Sequence, residues 1–370
     1  MLALSAVSLS HFRSHKHASL SVDQRPIAIF GANGAGKTNL LEAVSLFSPG
    51  RGLRRATGEA LIRRPEALGW KVTGVLQTNT QVHEIETQAT PETARQVRVD
   101  GKTVPQLVLG QIGRMLWLIP AMDRLWIEGA EGRRRFLDRA TLSFIPNHGE
   151  AVLTYEKMMR ERNRLLKDMV RDPHWYIAIE AQMSAAGAQI HQNRCEAIVR
   201  LNAAQEHTQS GFPAALLTLV NGDHAEVDLS QAADMAQAFA DNRGRDMAAG
   251  RTLIGPHRSD LDAMFIEKSV AAKDCSTGEQ KALLISLILA NCRALTADIG
   301  APPILLLDEV AAHLDAARRG ALYDEITALG AQAWMTGTGP ELFAELGHRA
   351  QYIEVGEDAG VSTVTQKESP

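Results

Sequence analysis

Apolar positions recur along the chain with two periods, and the switch between them divides it. Residues 2–9 read as a strand. A second apolar run, Pro26-Ile27-Ala28-Ile29-Phe30, stops at a glycine-rich segment, and helical spacing resumes with Asn39-Leu40-Leu41-Glu42-Ala43-Val44. The pattern predicts strand, loop and helix in that order. Residues 68–104 are strand-like and punctuated by turns, with Val72-Thr73-Gly74-Val75, Val82-His83-Glu84-Ile85-Glu86 and Val97-Arg98-Val99, then Asp100-Gly101 as a hairpin signal. They predict an antiparallel sheet flanking the glycine-rich loop.

Between Pro146 and Pro213 the chain turns to Ala, Gln, Glu, Arg and Met with few β-branched residues, and helical periodicity runs on both sides of Asp172-Pro173. Val152, Tyr155, Met159, Leu166 and Met169 share one face of a first predicted helix. Ile179, Met183, Ala186, Ile190, Ala197 and Leu201 share one face of a second, and facing stripes predict an antiparallel pair. A second helix from about Trp175 to about Gln209 would be roughly 50 Å long at 1.5 Å per residue, enough to form an arm. Residues 214–249 are Ala-rich and loosely patterned. Strand and helix signals then return, with an apolar strand over 304–307, a helix over 316–329 and a final strand pair around 332–336 and 351–355. The predicted organisation is an α/β head in two parts, residues 1–140 and 251–370, separated in sequence by a helical arm domain, 141–250.

The 370 residues suffice for two to three domains, and 45% hydrophobic against 22% charged residues excludes a mainly disordered chain. A formal charge of −4 means that no global basic field advertises nucleic acid. Of the 39 Lys and Arg residues, however, 29 are Arg, the planar partner of phosphate. They cluster at Arg51, Arg54 and Arg55, at Arg63 and Arg64, and at Arg133, Arg134 and Arg135, so a local basic face and plain solvated charge both remain open. Cys195, Cys275 and Cys292 lack metal-ligand spacing and suit reduced thiols. The longest largely apolar stretch, residues 282–290, falls short of the roughly 20 residues a bilayer needs, and the N-terminus lacks a signal-peptide plan. A cytoplasmic protein without a membrane partner is expected.

The glycine-rich segment carries the chemistry. Gly31-Ala32-Asn33-Gly34-Ala35-Gly36-Lys37-Thr38 matches G-x-x-x-x-G-K-[ST] between a predicted strand and helix. Such glycines let backbone N–H groups turn inward around a β-phosphate, and the helix N-terminus adds its positive end. Lys37 is expected to reach the β- and γ-phosphates of ATP, and Thr38 to place its hydroxyl on Mg²⁺. Hydrolysis needs a second element, and Ile304-Leu305-Leu306-Leu307-Asp308-Glu309 provides a buried strand ending in two carboxylates. Asp308 is expected to hold Mg²⁺ through water, and Glu309 to act on the attacking water as base or orienter.

Ser276-Thr277-Gly278-Glu279-Gln280 precedes an amphipathic run, with Ser276 where an N-cap belongs. Beside the other two motifs this stretch resembles the signature of ABC-type ATPases. The resemblance implies that Ser276 and Gly278 of one subunit meet the γ-phosphate held by another. His313-Leu314-Asp315 resembles the segment of those enzymes that touches the opposite subunit. ATP would then stabilise a homodimer and hydrolysis would release it.

The long interval from Gly31 to Ser276, containing the helical arm, argues against a transporter subunit. Over nearly its whole length the chain resembles the RecF family of bacterial recombination mediators. The resemblance rests on Leu9-Ser10-His11-Phe12-Arg13-Ser14, residues 31–43, Gly50-Arg51-Gly52-Leu53-Arg54, Arg134-Arg135-Phe136-Leu137-Asp138, Arg162-Asn163-Arg164-Leu165-Leu166-Lys167, residues 253–261 and 276–281. It implies an ABC-type head with Arg13 and Asn39 among the nucleotide-binding residues. It further implies an ATP-dependent homodimer that binds double-stranded and gapped DNA, partners RecR, and with RecO helps load RecA on single strands. A net-acidic dimer must gather its cations to hold a duplex, and Arg51, Arg54 and Arg55 are the expected contacts, with Arg133 to Arg135 as further contributors. Two departures stand out. Met335-Thr336-Gly337-Thr338 occupies the place where many ABC ATPases carry a switch His, which implies slow hydrolysis, and Trp117-Leu118-Ile119-Pro120 offers no glutamine-loop Gln. The alternatives are another ABC-type ATPase, transporter-like or chromosome-structural, or a nucleotide-binding DNA scaffold without productive hydrolysis.

Overall fold

The computed structural model describes residues 2–64, 66–206, 211–222 and 226–369. Two compact units emerge. One comprises the described residues of Met1–Asp123, His207–Ala214 and Ser276–Pro370, the other those of Arg124–Glu206 and Ala215–Cys275.

In chain order, the first unit begins with β1 (Ala3–Phe12), β2 (His15–Ser21), β3 (Ile27–Phe30), α1 (Lys37–Ser45), β4 (Trp70–Gln77), β5 (Val82–Thr90), β6 (Thr93–Val99), β7 (Lys102–Val104), the short α2 (Leu109–Ile112) and β8 (Met115–Leu118). The second unit contains α3 (Ala130–Phe144), α4 (His148–Lys167), α5 (His174–Ala203), β9 (Ala215–Val220), α6 (Ala232–Asp241), α7 (Arg243–Ala249), β10 (Asp260–Phe265) and β11 (Val270–Ala271). The first unit resumes with α8 (Thr277–Ile299), β12 (Ile304–Leu307), α9 (Ala316–Leu329), β13 (Ala333–Gly337), β14 (Gln351–Asp358) and β15 (Val361–Lys367).

Two six-stranded sheets build the first unit. The antiparallel one runs β2-β1-β4-β5-β6-β7, and Asp100-Gly101, both at positive φ, turn β6 into β7 as the dipeptide predicts. The other runs β15-β14-β3-β13-β12-β8, parallel except for β15. α1 touches β1 of one sheet and β13 of the other, and Leu40, Leu41, Ala43 and Val44 join Val7, Leu9, Ile29 and Trp334 in one core. The late strands do not pair with each other as expected: β3 lies between β13 and β14. An apolar run buried on both faces fits any interior position, so sequence adjacency misleads here. α8, a Ser276-capped helix against β8 and α9, is long and apolar enough by length and composition to cross a membrane, which residues 282–290 alone do not reveal. Its 18-residue apolar window is 67% buried, as a core helix is.

In the second unit α4 and α5 pair antiparallel. Arg162 meets Glu180, Gly187 faces the Tyr155 ring and His148 faces Asn193, so partner numbers fall as residue numbers rise. Tyr155, Met183, Ala186 and Ile190 are buried with Met235 and Phe239 of α6. Met169, expected on the buried stripe, lies beyond the end of α4, at positive φ and 53% exposed. α5 ends at Ala203, short of Gln209, which lies outside the described residues. Arg162 is wholly buried and ties this unit together by donating to Glu180, Asp246, Thr252 Oγ1 and the Phe239 carbonyl at 2.6–3.0 Å.

Candidate functional site

β3 is buried along its whole length and ends in the glycine loop, from which α1 departs. Gly36 is the N-cap, in a left-handed conformation (φ 107°), and a Cβ there would run into Ser362 Oγ. The loop is braced from behind. Ser362 donates to the Ala35 carbonyl at 2.6 Å, the Ser14 and Ser362 hydroxyls lie 2.6 Å apart, Asn39 Nδ2 donates to Ser14 Oγ at 2.7 Å, and His15 Nε2 lies 3.1 Å from the Gly36 carbonyl oxygen. Burial pushes the His15 pKa down, which keeps the ring neutral against that carbonyl. The Ala35 and Gly36 carbonyls are thereby engaged by Ser362 and His15, and within the loop the Ala35 N–H donates to the Ala32 carbonyl at 3.3 Å.

Lys37 opens α1 and is buried, its ammonium donating to the Gly31 and Ala32 carbonyls at 2.7 and 2.9 Å. Burial lowers its pKa, opposed by the nearby charges of Glu309 and Asp308. The Thr38 hydroxyl donates to Asp308 Oδ1 at 2.9 Å, across a sequence separation of 270. Asp308 follows β12, and β13 alone separates β12 from β3, so these groups converge beyond the carboxyl ends of parallel strands, the usual ligand position in such sheets. Thr336 of β13 also donates to Asp308 Oδ1, at 2.8 Å, and accepts from the Glu309 N–H at 2.9 Å. Pro120 begins a single helical turn after β8, and the Leu118 carbonyl accepts from the Asp308 N–H at 2.9 Å.

The remaining expected residues lie around this cluster. Asn33 and Gly34 are exposed in the loop. Arg13 donates through Nε and Nη2 to the two carboxylate oxygens of buried Glu42 on α1, at 2.9 Å each. Ser276, exposed, caps α8 in a reciprocal box with Glu279, and Gly278 in the first turn leaves open space where a Cβ would be. Asp315, also exposed, caps α9 by accepting from the Arg318 N–H at 2.8 Å; the His313 side chain lies outside the described residues. Among the described residues, no hydrogen bond or ion pair joins Ser276, Gly278 or Asp315 to Lys37, Thr38 or Asp308.

Arg51, Arg54 and Arg55 are exposed on the loop after α1, and Arg54 Nη1 donates to Asn39 Oδ1 at 3.1 Å. In the other run Arg133 and Arg134 are half-buried and Arg135 is exposed. Arg133 grips Asp260 through two 2.8 Å bonds, Arg134 donates to the Ser259 carbonyl at 2.9 Å, and Arg135 pairs with Glu131. Ser14, His15 and Ser362 were not singled out by the sequence. Ser14 does stand inside the motif that precedes the loop, whereas Ser362 lies 348 residues from Ser14 in a strand with no distinguishing pattern.

The oxygen donors Thr38 and Asp308, already in contact, fit a hard cation such as Mg²⁺, and the glycine loop with Lys37 fits a nucleotide triphosphate. The sequence profile of the RecF/RecN/SMC N terminal domain matches residues 3–353. The DNA replication and repair protein RecF of Rhizobium rhizogenes is 45% identical over 95% of this chain and 96% of its own, and that of Caulobacter vibrioides is 44% identical over 98% of each. Among solved structures, the recombination mediator protein RecF-ATP in the RecFOR pathway is similar with a TM-score of 0.83 at 22% identity, covering 99% of both chains. The Smc head domain of Pyrococcus furiosus, with an extended coiled coil and bound to the C-terminal domain of ScpA, gives 0.57 at 16% identity over 99% of this chain and 96% of that one. The architecture is thus the mixed α/β, ABC-type head, with the α4–α5 pair inserted in sequence between the glycine loop and the Ser276 motif.

Proposed function

This chain belongs to the RecF family of DNA replication and repair proteins, and from that premise we propose that it is an ATP-gated, DNA-binding recombination mediator. The observation that carries the reading is the Thr38–Asp308 contact beside Lys37, which joins the phosphate loop to the carboxylate strand. In this reading the loop N–H groups and the α1 N-terminus hold the β-phosphate, helped by Gly31, Asn33, Gly34 and Gly36. Lys37 exchanges its loop carbonyls for the β- and γ-phosphates. Thr38 and Asp308 would hold Mg²⁺, which neutralises phosphate charge when bound. Glu309 orients the attacking water and polarises it, and turnover is slow because the group beside it is a threonine hydroxyl rather than an imidazole.

The exposed α8 N-terminus suits a second copy. Ser276 and the backbone at Gly278 would meet the γ-phosphate held by the opposite protomer, with Asp315 close to the same seam. ATP then joins the protomers and hydrolysis removes the group that joins them. Exposed Arg51, Arg54 and Arg55 would contact phosphates of double-stranded or gapped DNA without reading sequence. RecR, with RecO and RecA in the same pathway, would be the partners of such a protein, a reading supported by its RecF relatives and by the RecFOR pathway of the similar RecF structure.

Titrating a gapped duplex with the protein, with ATP and without, tests the gating. Tight binding only with ATP is expected, and equal binding without it would reject the gate. In the same assay the combined Arg54→Ala, Arg55→Ala variant should lower the slope of log affinity against log salt by about 1 per lost phosphate contact.

A further inference from the structure

The hydroxyl of Thr336 stands where the two candidate carboxylate residues meet. It is 1% exposed, so water does not compete for it. The Glu309 N–H can only donate, so at 2.9 Å Thr336 Oγ1 must accept. Its single proton is then directed to Asp308 Oδ1 at 2.8 Å. One side-chain oxygen therefore fixes the carboxylate of one residue and the backbone of the next.

Both ends of this bridge need fixing. Asp308 Oδ1 takes hydroxyl protons from Thr38 and Thr336 together, which sets the rotation of the carboxylate and leaves Oδ2 without a hydrogen bond among the described residues. Glu309 is held at φ 53°, ψ 23°, a left-handed conformation that a residue with a Cβ leaves unless something restrains it. The N–H bond to Thr336 is a restraint on that backbone. The strand register supplies the hydroxyl: Leu307 lies opposite Met335 on β13, and Thr336 opposite Ile29 on β3, so the bridge stands between the glycine-loop strand and the carboxylate strand.

We propose that Thr336 is a positioning residue for ATP hydrolysis, setting Asp308 and Glu309 as one rigid unit through its single hydroxyl. The proposal rests on the reading that this chain hydrolyses ATP with those two residues. A valine at this position keeps the branched, buried shape and removes only the hydrogen bonds, whereas a serine keeps the bonds and removes a methyl group.

The test compares Thr336→Val, Thr336→Ser and Glu309→Gln in the full chain. Turnover, ATP affinity from a fluorescent-nucleotide titration and thermal midpoint are measured for each. Thr336→Val should lower kcat by about 100-fold, as expected for a displaced reacting group, with nucleotide affinity retained, and Thr336→Ser should restore turnover. Adding Thr336→Val to Glu309→Gln should cost little further, because the two act through one element. Should valine disturb β13, Thr336→Ala removes the same hydroxyl and is read in the same way. Unchanged turnover in the valine and alanine variants would overturn the proposal. So would multiplicative losses in the double variant, or a fall in affinity and thermal midpoint that matches the fall in kcat. An unaltered protein that turns over no ATP would instead reject the hydrolytic reading itself, and this assignment with it.

Discussion

Arg13 holds Glu42 in a two-pronged ion pair, both bonds 2.9 Å, with the carboxylate wholly shut from solvent. Glu42 lies on α1, the helix that opens with Lys37, so the pair ties the β1–β2 turn to the helix that would carry the phosphates. Removing one partner strands a buried charge, a cost of about 3 kcal/mol, softened by Arg54 at 3.8 Å. Arg13→Ala should therefore lower the unfolding free energy in urea by that order. Adding Glu42→Gln should recover part of the loss, because no charge is then left buried. Failure of the double variant to recover anything would assign Arg13 a different role.

His257 in the second unit predicts an acid sensitivity. Its Nδ1 lies 2.7 Å from the Tyr155 hydroxyl and its Nε2 3.1 Å from the Thr252 carbonyl, an arrangement that suits the neutral ring. Burial, aided by Arg258, Arg134 and Arg194 and opposed by the Thr252 bond, pushes its pKa down to about 4. Between pH 6.5 and 4 the unfolded chain takes up a proton that the native ring refuses, so this contribution to stability is lost as pH falls through that window, up to about 3 kcal/mol. Urea unfolding from pH 7 to 4 should show the loss, and His257→Asn should flatten it. An equally steep curve in the variant would place the sensitivity elsewhere.

Gly36 has no room for a side chain. Its φ of 107° and the Ser362 hydroxyl behind it both oppose a Cβ, so Gly36→Ala should abolish nucleotide binding in a fluorescence titration and lower the thermal midpoint. Gly34→Ala is the comparison: φ is 84°, but nothing lies within 4 Å of the added carbon. It should fold with a smaller loss. Equal behaviour of the two variants would mean that Ser362 does not brace the loop.

Local pattern revealed what local physics decides. The helix expected over 316–329 forms over those residues because its apolar spacing and the capping Asp315 agree. The glycine loop was legible for the same reason, since its residues bind through their own backbone. Pairings between distant residues were not. Within the Arg133 to Arg135 run, nothing local foretells that Arg133 bonds to Asp260 and Arg134 to the Ser259 carbonyl while Arg135 stays exposed. Residues 214–249 hid β9, α6 and α7 because α6 buries only Met235 and Phe239, too few positions to set a period. Thr336 marked a departure in the sequence, but its two bonds depend on β13 lying against β12.

In the function proposed, each triphosphate is shared between the glycine loop of one protomer and the Ser276-capped helix of another. Light scattering on a sizing column, with and without ATP, measures it directly for the unaltered chain, Lys37→Met, Glu309→Gln and Ser276→Arg. An ATP-dependent dimer is expected for the unaltered chain, a longer-lived one for Glu309→Gln and monomers for Lys37→Met. Ser276→Arg should bind a fluorescent nucleotide normally yet remain monomeric with ATP. A Ser276→Arg protein that still dimerises when ATP is added would rule out the shared site.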